Sequence, residues 1–439
     1  MIFSKRIRVG FSSILLFWVA QQGALGQPFS STEREILKYV ESHKEDAILF
    51  LEKLVNINSG TMNHAGVKKV GQIFQTELST LGFISRWIPM TSVNRAGHLF
   101  AERKGKQGNR LLLIGHLDTV FEKNNSFQKF NRHGSIGNGP GVQDMKGGDT
   151  VILYALKALH EVNALTSTNI IIALIGDEEN TGDPISVSRR DLIAAAHRSD
   201  IALAFEGATE SMNNAVVARR GSSDWLLRVT GMPGHSSQIF TKKYGTGAIY
   251  EAARILTGFY KLLGEEQYLT LSPGLILGGS VVEHNSIHSR GSAFGKNNVI
   301  PKTAVLTGDL RFISQEQRDQ AKNNMRSIVT QNLSRVKATI TFSDSYPAMS
   351  PTPGNYQLLT LLDKISHDLG QGRVDPVDPG QRGAADISFV APHVQSSLDG
   401  LGIAGSGSHT INETVNLDSL SQSIKRAALL IYRLTRDNK

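Results

Sequence analysis

An α/β fold is what the sequence predicts: a parallel sheet covered by helices on both faces, interrupted by a smaller α+β unit. Two observations carry this. Runs at 111–115, 170–176 and 201–205 are apolar almost throughout and alternate with helical stretches such as 149–162, and strands buried on both faces belong to parallel sheets. Past Arg219-Arg220-Gly221 the order becomes β-α-β-β-α-β, which describes a ferredoxin-like unit. A chain of 439 residues also exceeds what one core organises, so about two domains are expected.

Taken in order, residues 1–26 read as a signal peptide. Lys5, Arg6 and Arg8 precede an apolar run at 9–20, and Ala24-Leu25-Gly26 offers small residues two apart, with cleavage before Gln27. The run is shorter than the roughly 20 residues a spanning helix needs, so the expectation is a periplasmic or secreted protein with no stable membrane anchor. Ile36, Leu37, Val40, Ile48, Leu51, Leu54 and Val55 then recur at helical spacing, and a second helix covers 66–81 before Gly82. The inserted unit reads as strand 224–230, helix 245–263, strands 271–282 and 304–312, helix 315–333 and strand 337–343. Pro347, Pro351, Pro353 and Gly354 mark a return linker. One helix, a Gly-rich segment at 400–407 and a final helix from Asp418 close the chain. The expected division is a catalytic domain in two segments, 27–217 and 346–439, around an insert at 218–345.

Composition excludes several classes. Hydrophobic residues at 40% and charged residues at 20% suit a soluble globular protein. Three of the 47 basic residues lie in the leader, so 44 stand against 39 acids, a net of +5. They are scattered without aromatic interleaving, which argues against nucleic acid as a partner. With no cysteine there is no disulfide framework, and any zinc must be held by His, Asp and Glu.

The informative residues follow the apolar runs. His116 and Asp118 come after the first, Glu178 and Glu179 after the second, and Glu206 after the third. Ligands of doubly wound sheets bind at the carboxyl ends of strands, and acids gathered there repel unless a cation neutralises them. Singly, each has an ordinary reading. His116 and His409 can be loop histidines, the Glu-Glu pair solvated, and Asp144 a cap for the helix after Lys146. Together they point to a metal centre.

The motifs His116-Leu-Asp118-Thr-Val, Asp144-Met-Lys-Gly-Gly, Asp177-Glu178-Glu179, Phe205-Glu206-Gly207 and Gly407-Ser-His409-Thr, in that order, resemble the motif set of the M20 metallopeptidase family. The nearest likeness is to its glutamate carboxypeptidase (carboxypeptidase G2-like) branch. The resemblance implies a mixed, mostly parallel sheet covered on both faces, with the ferredoxin-like insert serving as a dimerisation domain. It implies two zinc ions, with cobalt or manganese as substitutes, bridged by Asp144. His116 and Glu206 would complete one ion, Glu179 and His409 the other. Asp118 would orient His116, and Glu178 would be the general base rather than a ligand.

In the insert, His235 resembles the family histidine that reaches across a dimer to polarise the scissile carbonyl. Asn298 and Arg311 resemble residues holding the substrate's carboxylate; alone, Arg311 reads equally as a salt bridge on the small sheet. Gly383 lies in a segment that resembles the family's Gly-rich substrate loop, but Arg382 and Ala385 stand where Gly and Ser or Thr are common. Arg382 would add a cation favouring acidic side chains. The implied activity is release of a C-terminal amino acid, glutamate foremost, from a small peptide or N-acyl amino acid by a homodimer. An N-acyl-amino-acid deacylase on the same scaffold, and more remotely a non-catalytic exported binding protein, remain open.

Overall fold

The computed structural model describes residues 29–436 apart from Ala208 and Ile287; the expected signal peptide at 1–26 lies outside them. The first helical stretch is two helices, α1 (Ser31–Ser42) and α2 (Lys44–Val55), broken at His43. Ser30 and Glu33 form a capping box at the start of α1, which satisfies two N–H groups that the first helical turn leaves free. Next come α3 (His64–Thr80), the antiparallel pair β1 (Ile84–Met90) and β2 (Arg95–Arg103), and β3 (Gln107–His116). Then follow α4 (Lys146–Glu161), β4 (Thr168–Ile175) and β5 (Ile201–Ala204).

The insert contributes β6 (Gly221–Gly231), α5 (Gly247–Leu263), β7 (Thr270–Gly279), β8 (Thr303–Phe312), α6 (Gln315–Thr330) and β9 (Val336–Asp344). After it the chain adds α7 (Pro353–Asp368), β10 (Ser396–Leu398) and α8 (Leu417–Leu434).

The large sheet has the order β1-β2-β4-β3-β5-β10. Strands β4, β3, β5 and β10 run parallel, while β2 joins β4 antiparallel. Alternate side chains of β3 serve opposite faces, as the period of two requires. Leu111 and Leu113 pack in the core with α4 and α8, whereas Leu112 and Ile114 pack with Leu192, Ala195 and Ile387. Helical cover on both faces forces each strand to be apolar throughout, and truncating such a buried leucine to alanine costs about 2–5 kcal/mol.

The small sheet is entirely antiparallel in the order β7-β8-β6-β9. Trp225, Leu227 and Val229 of β6 face α5 and α6, packing on Ile255, Phe259 and Met325, while Asp224, Arg228 and Thr230 between them are exposed. The strand expected at 271–282 is shorter. It ends at Gly279, and a separate hairpin of Val281–Asn285 and Arg290–Phe294 follows. Where the chain enters and leaves the insert, Arg219 and Met349 exchange two backbone hydrogen bonds of 3.0 Å. Among the described residues no helix is long and apolar enough to cross a membrane.

Candidate metal centre

The carboxyl ends of three neighbouring parallel strands supply the first half of the site. His116 is the last residue of β3, Glu178 and Glu179 lie just beyond β4, and Glu206 lies two residues beyond β5. Loops bring the rest. Asp144 precedes α4, whose start is pressed so close to β5 that a Cβ on Gly148 would stand 1.8 Å from the Phe205 carbonyl oxygen. The N-cap of α4 is Met145 with no side-chain cap bond, so Asp144 is not a helix cap. His409 follows Gly407, whose φ of +76° is the left-handed region that favours glycine.

Asp144 sits at the centre. Its Oδ1 is 2.9 Å from His116 Nε2, and its Oδ2 is 3.1 Å from His409 Nε2. The same His409 nitrogen is 3.1 Å from Glu179 Oε2, and His116 Nε2 is 3.7 Å from Glu206 Oε1. Ligand atoms of His116, Asp144 and Glu179 all lie within 4.8 Å of one another. Two imidazoles and three carboxylates, with nitrogen and oxygen donors only, suit divalent cations such as zinc. Glu179 Oε1 is buried with no hydrogen-bond partner, a lone pair suited to a cation.

The surroundings orient these groups. Asp118, fully buried, lies 3.5 Å from His116 Nδ1 through Oδ1, and its backbone carbonyl is 3.1 Å from that nitrogen. With its Nδ1 side held by Asp118, His116 turns Nε2 towards Asp144 and Glu206. Asp118 also accepts from Thr61 Oγ1 at 2.7 Å and from the backbone N–H groups of Glu178 and Glu179 at 3.0 and 3.1 Å. One carboxylate therefore fixes the β3 imidazole and the β4 loop together.

Burial dominates the electrostatics. It pushes Glu178 well above the usual carboxylate range; the charges of Glu206, Asp386 and Glu179 add to that, and His116 opposes it. Burial and Asp144 push Glu206 up to about 8. Burial works against protonated His116, but Asp118, Asp144 and Glu206 outweigh it and hold the imidazole well above its ordinary value. Hydrogen bonds to Asp144 and Glu179 push His409 up to about 11. Carboxyls pushed up by burial and by one another's charge, beside imidazoles raised by those same carboxylates, mark a buried cluster rich in negative charge.

The profile of peptidase family M20/M25/M40 matches residues 112–433. The chain belongs to that family. It is a hydrolase. Carboxypeptidase G2 from Pseudomonas sp. (strain RS-16) is 26% identical over 415 residues, covering 93% of this chain and 94% of that protein. A succinyl-diaminopimelate desuccinylase of Blochmanniella floridana is 26% identical over 298 residues, 65% of this chain and 73% of its own length. Among solved structures, a tripeptidase from Staphylococcus aureus superposes with a TM-score of 0.68 at 18% identity, covering 90% of this chain and 99% of its own. A dinuclear metal-binding M20 peptidase from Bacillus subtilis gives 0.60 at 13%, with 90% and 99% covered. That Bacillus subtilis protein is a dinuclear metal-binding peptidase, and this chain has the fold together with a group of His, Asp and Glu that could hold a metal ion.

The predicted substrate residues divide. The loop bearing Gly383 reaches the centre: Ala385 and Asp386 pack beside His116 and Glu206, and the Gly383 carbonyl accepts from Arg219 Nη1 at 3.0 Å. His235, Asn298 and Arg311 are not joined to the cluster by any hydrogen bond or ion pair among the described residues. His235 Nδ1 lies 2.8 Å from Ser237 Oγ, and Ser236 donates to the Asn298 carbonyl at 2.9 Å, so these two share one exposed loop region. Arg311 Nε pairs with Asp309 Oδ2 at 2.6 Å on β8.

Two supports were missed by sequence reading. Buried Arg189 bonds Asp177 Oδ1 at 2.6 Å and Asp386 Oδ1 at 2.7 Å, anchoring the Glu178-Glu179 loop to the Gly383 loop. Glu413, 0% exposed, accepts the backbone N–H groups of Gly141, Gln143 and Asp144 at 2.9, 2.8 and 3.0 Å. The turn after His409 is thereby tied to the loop bearing Asp144. No residue pattern announces a carboxylate whose partners are backbone groups so far away in sequence.

Proposed function

We propose that the protein is an exported two-zinc carboxypeptidase that releases a C-terminal amino acid, glutamate foremost, from small peptides or N-acyl conjugates. The observation that carries this is Asp144 turning one carboxylate oxygen to His116 and the other to His409, the disposition a carboxylate shared between two cations needs. His116 and Glu206 would hold one cation, Glu179 and His409 the other. Cations bound there would lower the pKa of a shared water towards about 7 and polarise the amide carbonyl.

The chain's own groups do the rest. Glu178 is raised in basicity by burial and is bonded to none of the five ligands. Its carboxylate takes the proton from the attacking water and returns it to the leaving amide nitrogen. Asp118 keeps the His116 tautomer fixed through both steps. His235 and Asn298 act from the insert of a second copy, which a homodimer would bring over the site. Strand β7 is one edge of the small sheet, and exposed Ile276 on it with exposed Ile249 and Tyr250 on α5 support the use of this side as the contact. Arg311 would then leave Asp309 for the substrate's carboxylate.

Similarity to carboxypeptidase G2 along nearly the whole chain favours the carboxypeptidase reading. Similarity to desuccinylases favours a second one, deacylation of N-acyl amino acids. The test is a panel of dipeptides and N-acyl amino acids given to purified zinc-loaded protein. Faster turnover of peptides ending in glutamate supports the first reading, and turnover of N-acyl amino acids alone supports the second. No chelator-sensitive hydrolysis of either class would refute both. Export is tested by sequencing the N-terminus of protein recovered outside the cytoplasm, where Gln27 should come first.

A further inference from the structure

Beside the metal-centre carboxylates stand two guanidinium groups that each keep a buried nitrogen without a partner. Arg219 is 4% exposed. Its Nε donates to Asp399 Oδ2 at 2.6 Å and its Nη1 to the Gly383 carbonyl at 3.0 Å, while Nη2 is buried with no hydrogen-bond partner. Arg382, one residue before Gly383, is partly buried; its Nη2 reaches the Gly207 carbonyl at 3.5 Å, and its buried Nε also lacks a partner. The charge of Arg219 is the strongest influence on Arg382 and, together with burial, lowers its pKa, opposed by Asp399, Glu206 and Asp144.

These three acids are already engaged. Asp399 is paired with Arg219, and Glu206 and Asp144 face the histidines of the metal centre. When cations occupy that centre, Arg382 has no protein carboxylate of its own. A buried N–H of a charged group left without an acceptor is costly, so the corner calls for an anion from outside. Because Arg382 bonds the carbonyl of Gly207, next to Glu206, that anion lies close to the reacting amide and within reach of a short acidic side chain.

We propose that Arg382, backed by Arg219, is a specificity-determining residue that receives the side-chain carboxylate of the amino acid released. The planar guanidinium fork suits a carboxylate, and the enzyme then prefers acidic residues to their amides. This rests on the amide-hydrolase reading above.

Glutamate and glutamine test it, because they share shape and α-carboxylate and differ only in the charge of the side chain. Their binding to zinc-loaded wild type, Arg382→Gln and Arg382→Lys is measured by titration calorimetry, with melting temperatures confirming that the variants are folded. Wild type should bind glutamate at least about 10-fold more tightly than glutamine, the size of one charge-assisted hydrogen bond. Arg382→Gln should bring that ratio to about one without weakening glutamine, and Arg382→Lys should fall between. Equal affinities in wild type would overturn the proposal. So would an equal loss for both ligands in Arg382→Gln, which would assign Arg382 to the α-carboxylate instead. The readout needs no turnover, so failure to cleave the substrate panel would sink the hydrolase reading separately.

Discussion

Replacing Glu413 by glutamine should loosen metal binding while leaving the enzyme folded. Oε1 of Glu413 accepts from Gln143 and Asp144, and Oε2 accepts from Gly141. A glutamine can keep the two bonds to Oε1, but its amide nitrogen then faces the Gly141 N–H, donor against donor, at a buried position. One stranded N–H there costs about 1–3 kcal/mol. Asp144 supplies one of the retained donors, so the disturbance falls on the loop that aims its carboxylate at both histidines. Losing an outer support of this kind weakens metal affinity by about 10–100-fold, and removal of a negative charge acts in the same direction. Glu413→Ala strands all three N–H groups and should fail to hold metal at all. Zinc affinity is measured by competition with a chromophoric chelator, alongside thermal melting of the metal-free forms. A folded Glu413→Gln enzyme with wild-type zinc affinity would refute the reasoning.

Three further outcomes are expected. Glu178→Gln should retain its metal, measured by elemental analysis, while kcat falls by about 10²–10⁴-fold; near-normal rates would remove Glu178 from the proton transfers. Arg189→Leu leaves Asp177 and Asp386 buried without their partner and should cost about 3–5 kcal/mol in urea unfolding, with a loss under about 1 kcal/mol contradicting the anchoring role. Chelator-treated protein should lose stability as pH rises from about 4.5 to 8. Burial holds Glu206 at about 8 and Glu413 at about 7 in the folded chain, whereas the unfolded chain releases those protons near 4.5, so the folded form binds more protons across that window. His409, held near 11 by Asp144 and Glu179, adds the same sign above about 6.5. Melting at pH 5 and pH 8 with and without chelator checks this; a metal-free form more stable at pH 8 would contradict it.

Legibility followed chemistry. His116, Glu178, Glu179 and Glu206 could be read because each follows a run apolar enough to be a strand buried on both faces, and a charged residue at such an end marks the sheet's carboxyl edge. Asp144 and His409 sit on loops without periodicity, so beside Gly-rich turns they read as candidates only in company with the strand-end residues, and motif resemblance gave them their roles. Strand β1 escaped because Pro89 within 84–90 speaks against a strand, although β1 is an edge, where proline is tolerated. Strand β10 has three residues, too few to show a period. The break at His43 carries no Gly or Pro, so α1 and α2 read as one stretch. Arg189 looks like half of an exposed Arg-Arg pair in sequence, and only the fold shows it enclosed between two aspartates.

The paired hydrogen bonds between Arg219 and Met349 have an evolutionary consequence. The outgoing and returning chain are stitched together by this rung and, just beyond it, by Ser222 donating to the Tyr346 carbonyl at 2.8 Å and Ser345 donating to the Ser222 carbonyl at 3.1 Å, and the strand order of the large sheet is set without the small one. That rung works as a socket. Any module whose termini lie as close as a hydrogen-bonded pair of antiparallel residues, about 5.5 Å, can be plugged in without disturbing β3, β4 and β5. The two sheets can therefore diversify on separate schedules within one polypeptide.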